Sequence, residues 1–110
     1  MTVVEVVRKS NHIVSLSADG HTGYGVEGED IVCAALSSII QTALLGLMQV
    51  AGINVKFTRK DSDGFLKFEL PTLSESSRRD ADMILDTMLV GISDLYETYS
   101  DFIELKLLNV

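Results

Sequence analysis

The chain holds one cysteine, Cys33, and one of its two histidines, His21, stands twelve residues before it in a stretch punctuated by Gly20, Gly23, Gly25 and Gly28. A thiol and an imidazole suffice for nucleophilic acyl transfer if the fold brings them together. The imidazole takes the thiol proton, or holds it as an imidazolium–thiolate pair, and the thiolate attacks a carbonyl. Asp30 has the position and chemistry of a helix N-cap. A helix capped there places Cys33 third in its first turn, where unpaired backbone N–H groups and the positive end of the dipole favour a thiolate. The same amides suit an oxyanion beside the sulfur. Ser37 follows Cys33 by four residues and shares its helix face, so it can orient the histidine or donate a hydrogen bond to substrate. Asp30, three residues before Cys33, is a second candidate for aligning His21.

Each residue also has a plainer reading. A lone cysteine among Ile31, Val32, Ala34, Ala35 and Leu36 is often a small buried hydrophobe. A loop histidine is often solvated, a mid-helix serine bonds its own backbone, and an aspartate can cap without catalysing. Gly23-Tyr-Gly25-Val-Glu-Gly28 fits the dinucleotide pattern G-x-G-x-x-G. However, Glu27, Glu29 and Asp30 put carboxylates where a pyrophosphate would sit, and no βαβ crossover follows. A metal site from His21, Cys33 and a carboxylate lacks paired ligand spacing. No metal and no cofactor are expected, and His12 is expected at the surface.

The elements that must position these groups follow from periodicity. Thr2–Ser10 and His12–Ser17 read as strands of a hairpin turning at Asn11. The glycine-rich segment from Asp19 to Glu29 is a loop whose freedom makes it costly to order, so His21 is expected to stand loose until substrate binds. Ile31 to about Val50 reads as a helix stopped by Gly52. It is apolar on nearly all sides, which places it centrally or at a subunit interface. Asn54–Arg59 and Phe65–Leu70 form a second hairpin through Asp63-Gly64. An amphipathic helix from Ser74 to about Tyr99 covers one sheet face, and Phe102–Leu108 is a last strand. The order β-β-α-β-β-α-β gives an α+β class, a largely antiparallel sheet of about five strands with two long helices, in a single domain spanning 1–110.

Composition narrows the partners. The 110 residues carry a formal net charge of −7, with 9 Lys and Arg against 16 Asp and Glu. A chain this acidic disfavours direct nucleic-acid binding and suits a cationic peptide, with Glu27, Glu29 and Asp30 near the proposed site. A single cysteine forms no internal disulfide, the N-terminal residues carry no leader pattern, and Ile31–Ala51 reads as a buried helix and not a membrane span. The expected compartment is the cytoplasm.

The run Gly20-His21-Thr22-Gly23-Tyr24-Gly25, followed by Asp30-Ile31-Val32-Cys33-Ala34-Ala35-Leu36-Ser37, resembles the bacterial ribosomal-processing cysteine protease family, Prp. The likeness runs through length, element order and the alanine-rich first helix. It departs from the family pattern at Thr22, where a small residue such as alanine is usual. The resemblance implies a cysteine endopeptidase that removes the N-terminal extension of large-subunit ribosomal protein twenty-seven. It implies Cys33 as nucleophile, His21 as base, and Asp30 and Ser37 as supporting residues. It also implies a substrate loop containing Gly20, Gly23, Tyr24 and Gly25 that orders when peptide binds, and a homodimer. The competing class is a non-catalytic ribosome-associated assembly module, in which the same residues serve packing and dimerisation.

Overall fold

The structure is a computed structural model that describes residues 1–20, 29–60 and 64–110, with the side chains of 29 and 30 left aside. Strand β1 (Thr2–Lys9) and strand β2 (His12–Asp19) form the first hairpin. Ser10 and Asn11, at φ 52° and 66°, make its two-residue turn. Two consecutive positive φ values give a turn whose twist matches that of the flanking strands, and Asn adopts that region at low cost.

Helix α1 (Glu29–Leu45) continues through a wider π turn over Gly46–Val50. Gly52 at φ 66° then ends the helical run, with the Ile53 N–H reaching back to the Leu47 carbonyl at 2.9 Å. Strands β3 (Lys56–Lys60) and β4 (Phe65–Glu69) follow. Helix α2 (Glu75–Thr98) is capped by Ser74, whose hydroxyl accepts from the Ser77 N–H at 3.3 Å. Strand β5 (Ile103–Asn109) closes the order β-β-α-β-β-α-β.

The five strands lie in the order β3-β4-β2-β1-β5. Three pairings are antiparallel, and β5 lies parallel to β1. The sheet is therefore mixed and mostly antiparallel. One face carries Val4, Val6, Leu16, Phe68 and Ile103, packed in a single core with both helices. The opposite face, with Val3, Glu5, Val7, Ser15 and Ser17, stays partly exposed.

Strand β2 departs from the simple alternation its sequence suggests. Val7 opposes Ser15 while Arg8 opposes Ile13, so Val14 is an extra residue without a partner on β1. This β-bulge changes the strand's parity. Ile13 and Leu16 can then both enter the core, at 0% and 1% exposure. The Val14 carbonyl accepts from the Leu70 N–H at 2.9 Å, so the bulge leaves that group bonded.

A polar brace fixes α2 against the start of β2. Arg78 donates from Nε to Asp82 at 2.9 Å and from Nη2 to the Ile13 carbonyl at 2.8 Å. His12 Nδ1 lies 2.7 Å from the other Asp82 oxygen. His12 thus lies at the surface, as expected, half-exposed and bonded to Asp82.

Helix α1 sends Val32, Leu36, Ile40, Leu44 and Leu47 into the core. Residues Ile31–Val50 are long and apolar enough to cross a membrane by length and composition, with 33% of that window buried in the single chain. Ile31, Leu45 and Val50 face outward, and so do Met83 and Val90 on α2.

Candidate active site

Cys33 lies where the first turn of α1 meets the starts of β1 and β4. The helix begins at Glu29, so Asp30 is its second residue and Cys33 its fifth. This corrects the expectation that Asp30 caps the helix and that Cys33 is third. The thiol therefore stands one turn in, still within reach of the positive end of the helix dipole.

Cys33 is half-buried and lines a pocket of about 180 Å³. Leu36, Ile40, Phe65 and Leu66 supply its apolar wall, and Ser37, Gln41 and Arg59 form a polar rim. Gly20 and Gly64 meet on one side, where the Gly20 N–H donates to the Gly64 carbonyl at 3.2 Å. Thr2 closes the floor beside the thiol, with Oγ1 at 3.5 Å from Cys33 Sγ.

The polar rim has a defined direction. Arg59 Nη1 donates to Gln41 Oε1 at 3.2 Å, and Gln41 Nε2 donates to Ser37 Oγ at 2.6 Å. A guanidinium has donors only, so it fixes the amide with its oxygen toward Arg59 and its nitrogen toward Ser37. Ser37 is thereby an acceptor for Gln41, and its own hydroxyl proton remains to be donated.

Of the residues singled out from sequence, Cys33, Ser37 and Gly20 come together around this pocket. His21, Gly23, Tyr24 and Gly25 lie outside the described residues, and so does the Asp30 side chain. Thr2, Gln41, Arg59 and Phe65 were missed. Gln41 had a local signal, since it continues the helical spacing of Cys33 and Ser37 at four-residue steps. Thr2, Arg59 and Phe65 reach the pocket through strand pairing, which no local pattern reveals. Among the described residues, no group of three His, Cys, Asp or Glu side chains is placed to hold a metal ion.

Fold and pocket together define a class: a small α+β domain with a half-buried thiol at the start of a helix, suited to nucleophilic attack on an acyl group. The chain belongs to the cysteine protease Prp family, whose model matches residues 1–104. The ribosomal processing cysteine protease Prp of Bacillus subtilis is 26% identical over 98 residues, covering 86% of this chain and 88% of that protein. The Prp of Staphylococcus aureus strain Mu50 is 27% identical over 106 residues, covering 96% and 97%.

Among solved structures, the Streptococcus mutans protein SMU.848 superposes with a TM-score of 0.89 at 27% identity, covering 100% of this chain and 96% of its own. The S. aureus protease Prp, described as essential and solved with a substrate peptide, superposes with a TM-score of 0.85 at 23% identity, covering 97% and 99%. That second likeness speaks for the fold. Family membership places this chain among cysteine proteases.

Proposed function

We propose that this chain is a cysteine endopeptidase that removes the N-terminal extension of large-subunit ribosomal protein twenty-seven, with Cys33 as nucleophile and His21 as general base. The observation that carries the reading is the position of Cys33. Its half-buried thiol opens onto an apolar pocket one turn into α1, in a family of cysteine proteases.

In the reaction, the Cys33 thiolate attacks the scissile carbonyl carbon and forms the carbon–sulfur bond. The charge passes to the carbonyl oxygen, near the positive end of the helix. His21, carrying the thiol proton, gives it to the leaving amine as the carbon–nitrogen bond breaks. Water then attacks the thioester, losing a proton to His21, and the sulfur departs as thiolate. Leu36, Ile40, Phe65 and Leu66 suit an apolar substrate side chain beside the cut. Ser37, with its proton directed by Gln41 and Arg59, suits a substrate backbone carbonyl.

The acidic charge of the chain fits a basic substrate protein. It also argues against direct nucleic-acid binding, and the cytoplasm is the compartment in which such a substrate is made. We assign a homodimer as the working form. Ile31, Leu45, Val50, Met83 and Val90 form an exposed apolar surface along the two helices that a second copy would cover.

The test is cleavage of a peptide spanning the extension junction. His21→Ala is expected to abolish it while the protein stays folded. Full activity in that variant removes the assigned base.

A further inference from the structure

The start of β1 and the start of α1 meet at a buried hydroxyl. Thr2 is 6% exposed, and among the described residues it is the polar residue in the buried class. Its backbone N–H is taken by the Phe102 carbonyl at 2.9 Å, which fixes the residue in the sheet. Its Oγ1 lies 3.5 Å from Cys33 Sγ. A buried hydroxyl needs a partner, and here the partner is the sulfur. With a neutral thiol, either atom can donate. Once the sulfur is a thiolate it has no proton, so the hydroxyl must donate, and a hydrogen bond to a charged acceptor is the stronger kind.

A second contact ties the same residue to the segment that leads to His21. A Cβ built on Gly20 would fall 2.5 Å from Thr2 Cα and 2.6 Å from the Met1 carbonyl oxygen. Both are backbone atoms, which cannot rotate away. The chain entering His21 thus lies directly on Thr2, and glycine at position 20 is what permits the approach.

We propose that Thr2 is a positioning residue for the protease reaction: its hydroxyl donates to Cys33 Sγ, holds the sulfur in one orientation and stabilises the thiolate. The proposal rests on the reading of Cys33 as the nucleophile. It adds a residue from the start of β1 that directs this sulfur without touching the substrate's reacting atoms.

The experiment compares Thr2→Val, which keeps the shape and deletes the hydroxyl, with Thr2→Ser, which keeps the hydroxyl and deletes the methyl. The rate of Cys33 alkylation by iodoacetamide is measured across pH on the folded full-length protein, alongside peptide cleavage. Thr2→Val is expected to react about tenfold more slowly near neutral pH, the scale of a hydrogen bond to a charged group. Its alkylation profile should move to higher pH. Thr2→Ser is expected to stay within about twofold of the parent, since it retains the donor. In cleavage, Thr2→Val should lower kcat and leave KM unchanged. An unaltered profile in Thr2→Val, or a loss in Thr2→Ser equal to that in Thr2→Val, overturns the proposal. Alkylation reads the thiol without turnover, so the two readings separate. A Thr2-dependent profile supports the hydrogen bond even if no variant cleaves peptide, whereas cleavage that survives Cys33→Ala removes the nucleophile assignment itself.

Discussion

Around Cys33, what matters is which atoms touch the sulfur and which cannot move away. Thr2 Oγ1 at 3.5 Å and the backbone contact of Gly20 on Thr2 make one small junction. Gly20→Ala adds a methyl group at 2.5 Å from a backbone Cα. The start of β1 or the end of β2 must then shift, which disturbs Thr2 and through it Cys33. Overpacking of this kind costs about 1–3 kcal/mol. We expect Gly20→Ala to lower peptide cleavage at least tenfold while a urea transition shows a folded protein of reduced midpoint; full activity would mean that this junction does not tune the thiol. Cys33 and Ser37 were legible in the sequence because both lie on one turn of one helix, and helical spacing is local information. Thr2 was not, because it is 31 residues from Cys33 and meets it only through the sheet.

The secondary elements were legible wherever their signals are short-range. Both antiparallel strand pairs, both helices and the stop at Gly52 follow from periodicity and, at Asn11 and Gly52, from turn chemistry, while Asp63 of the second expected turn lies outside the described residues. Gly52 supplies a simple check. It sits at φ 66° with nothing within 4 Å of an added Cβ, so a side chain there meets open space and only the backbone resists. Gly52→Ala is expected to cost about 1 kcal/mol in denaturant unfolding, with activity retained. No loss would mean that α1 ends by another route. Two features escaped the sequence. The Val14 bulge replaces strict alternation with a three-residue step between Ile13 and Leu16, and it is visible only in the register against β1. The start of α1 at Glu29 places Asp30 inside the helix, because a residue type suited to a cap is also tolerated in the first turn, so the sequence alone does not set the boundary. The parallel contact of β5 with β1 depends on where α2 delivers the chain, which the strand's own residues do not encode.

For the whole molecule, the unbalanced feature is its outer helical face. Core packing uses one side of α1, yet Ile31 is 74% exposed and Val50 85%, and Met83 and Val90 on α2 are exposed to a similar degree. A groove between the helices, lined by Ile39, Ala43, Gly46 and Ile84 among others, runs through this surface. The proposed homodimer would bury it. The double variant Met83→Glu, Val90→Glu changes only exposed positions, so it is expected to fold and to sediment near 12.0 kDa, while the parent sediments near twice that mass. A parent that sediments as a monomer contradicts the assignment. The pocket, the thiol and the family converge on cysteine proteolysis, and one measurement tests the proposed ribosomal-protein substrate most directly. The purified chain is incubated with the full-length precursor of large-subunit ribosomal protein twenty-seven from the same host, and the intact mass of the precursor is followed by mass spectrometry. The account predicts loss of a single N-terminal segment with the parent protein and none with Cys33→Ala; an unchanged precursor, or equal trimming by Cys33→Ala, would contradict it.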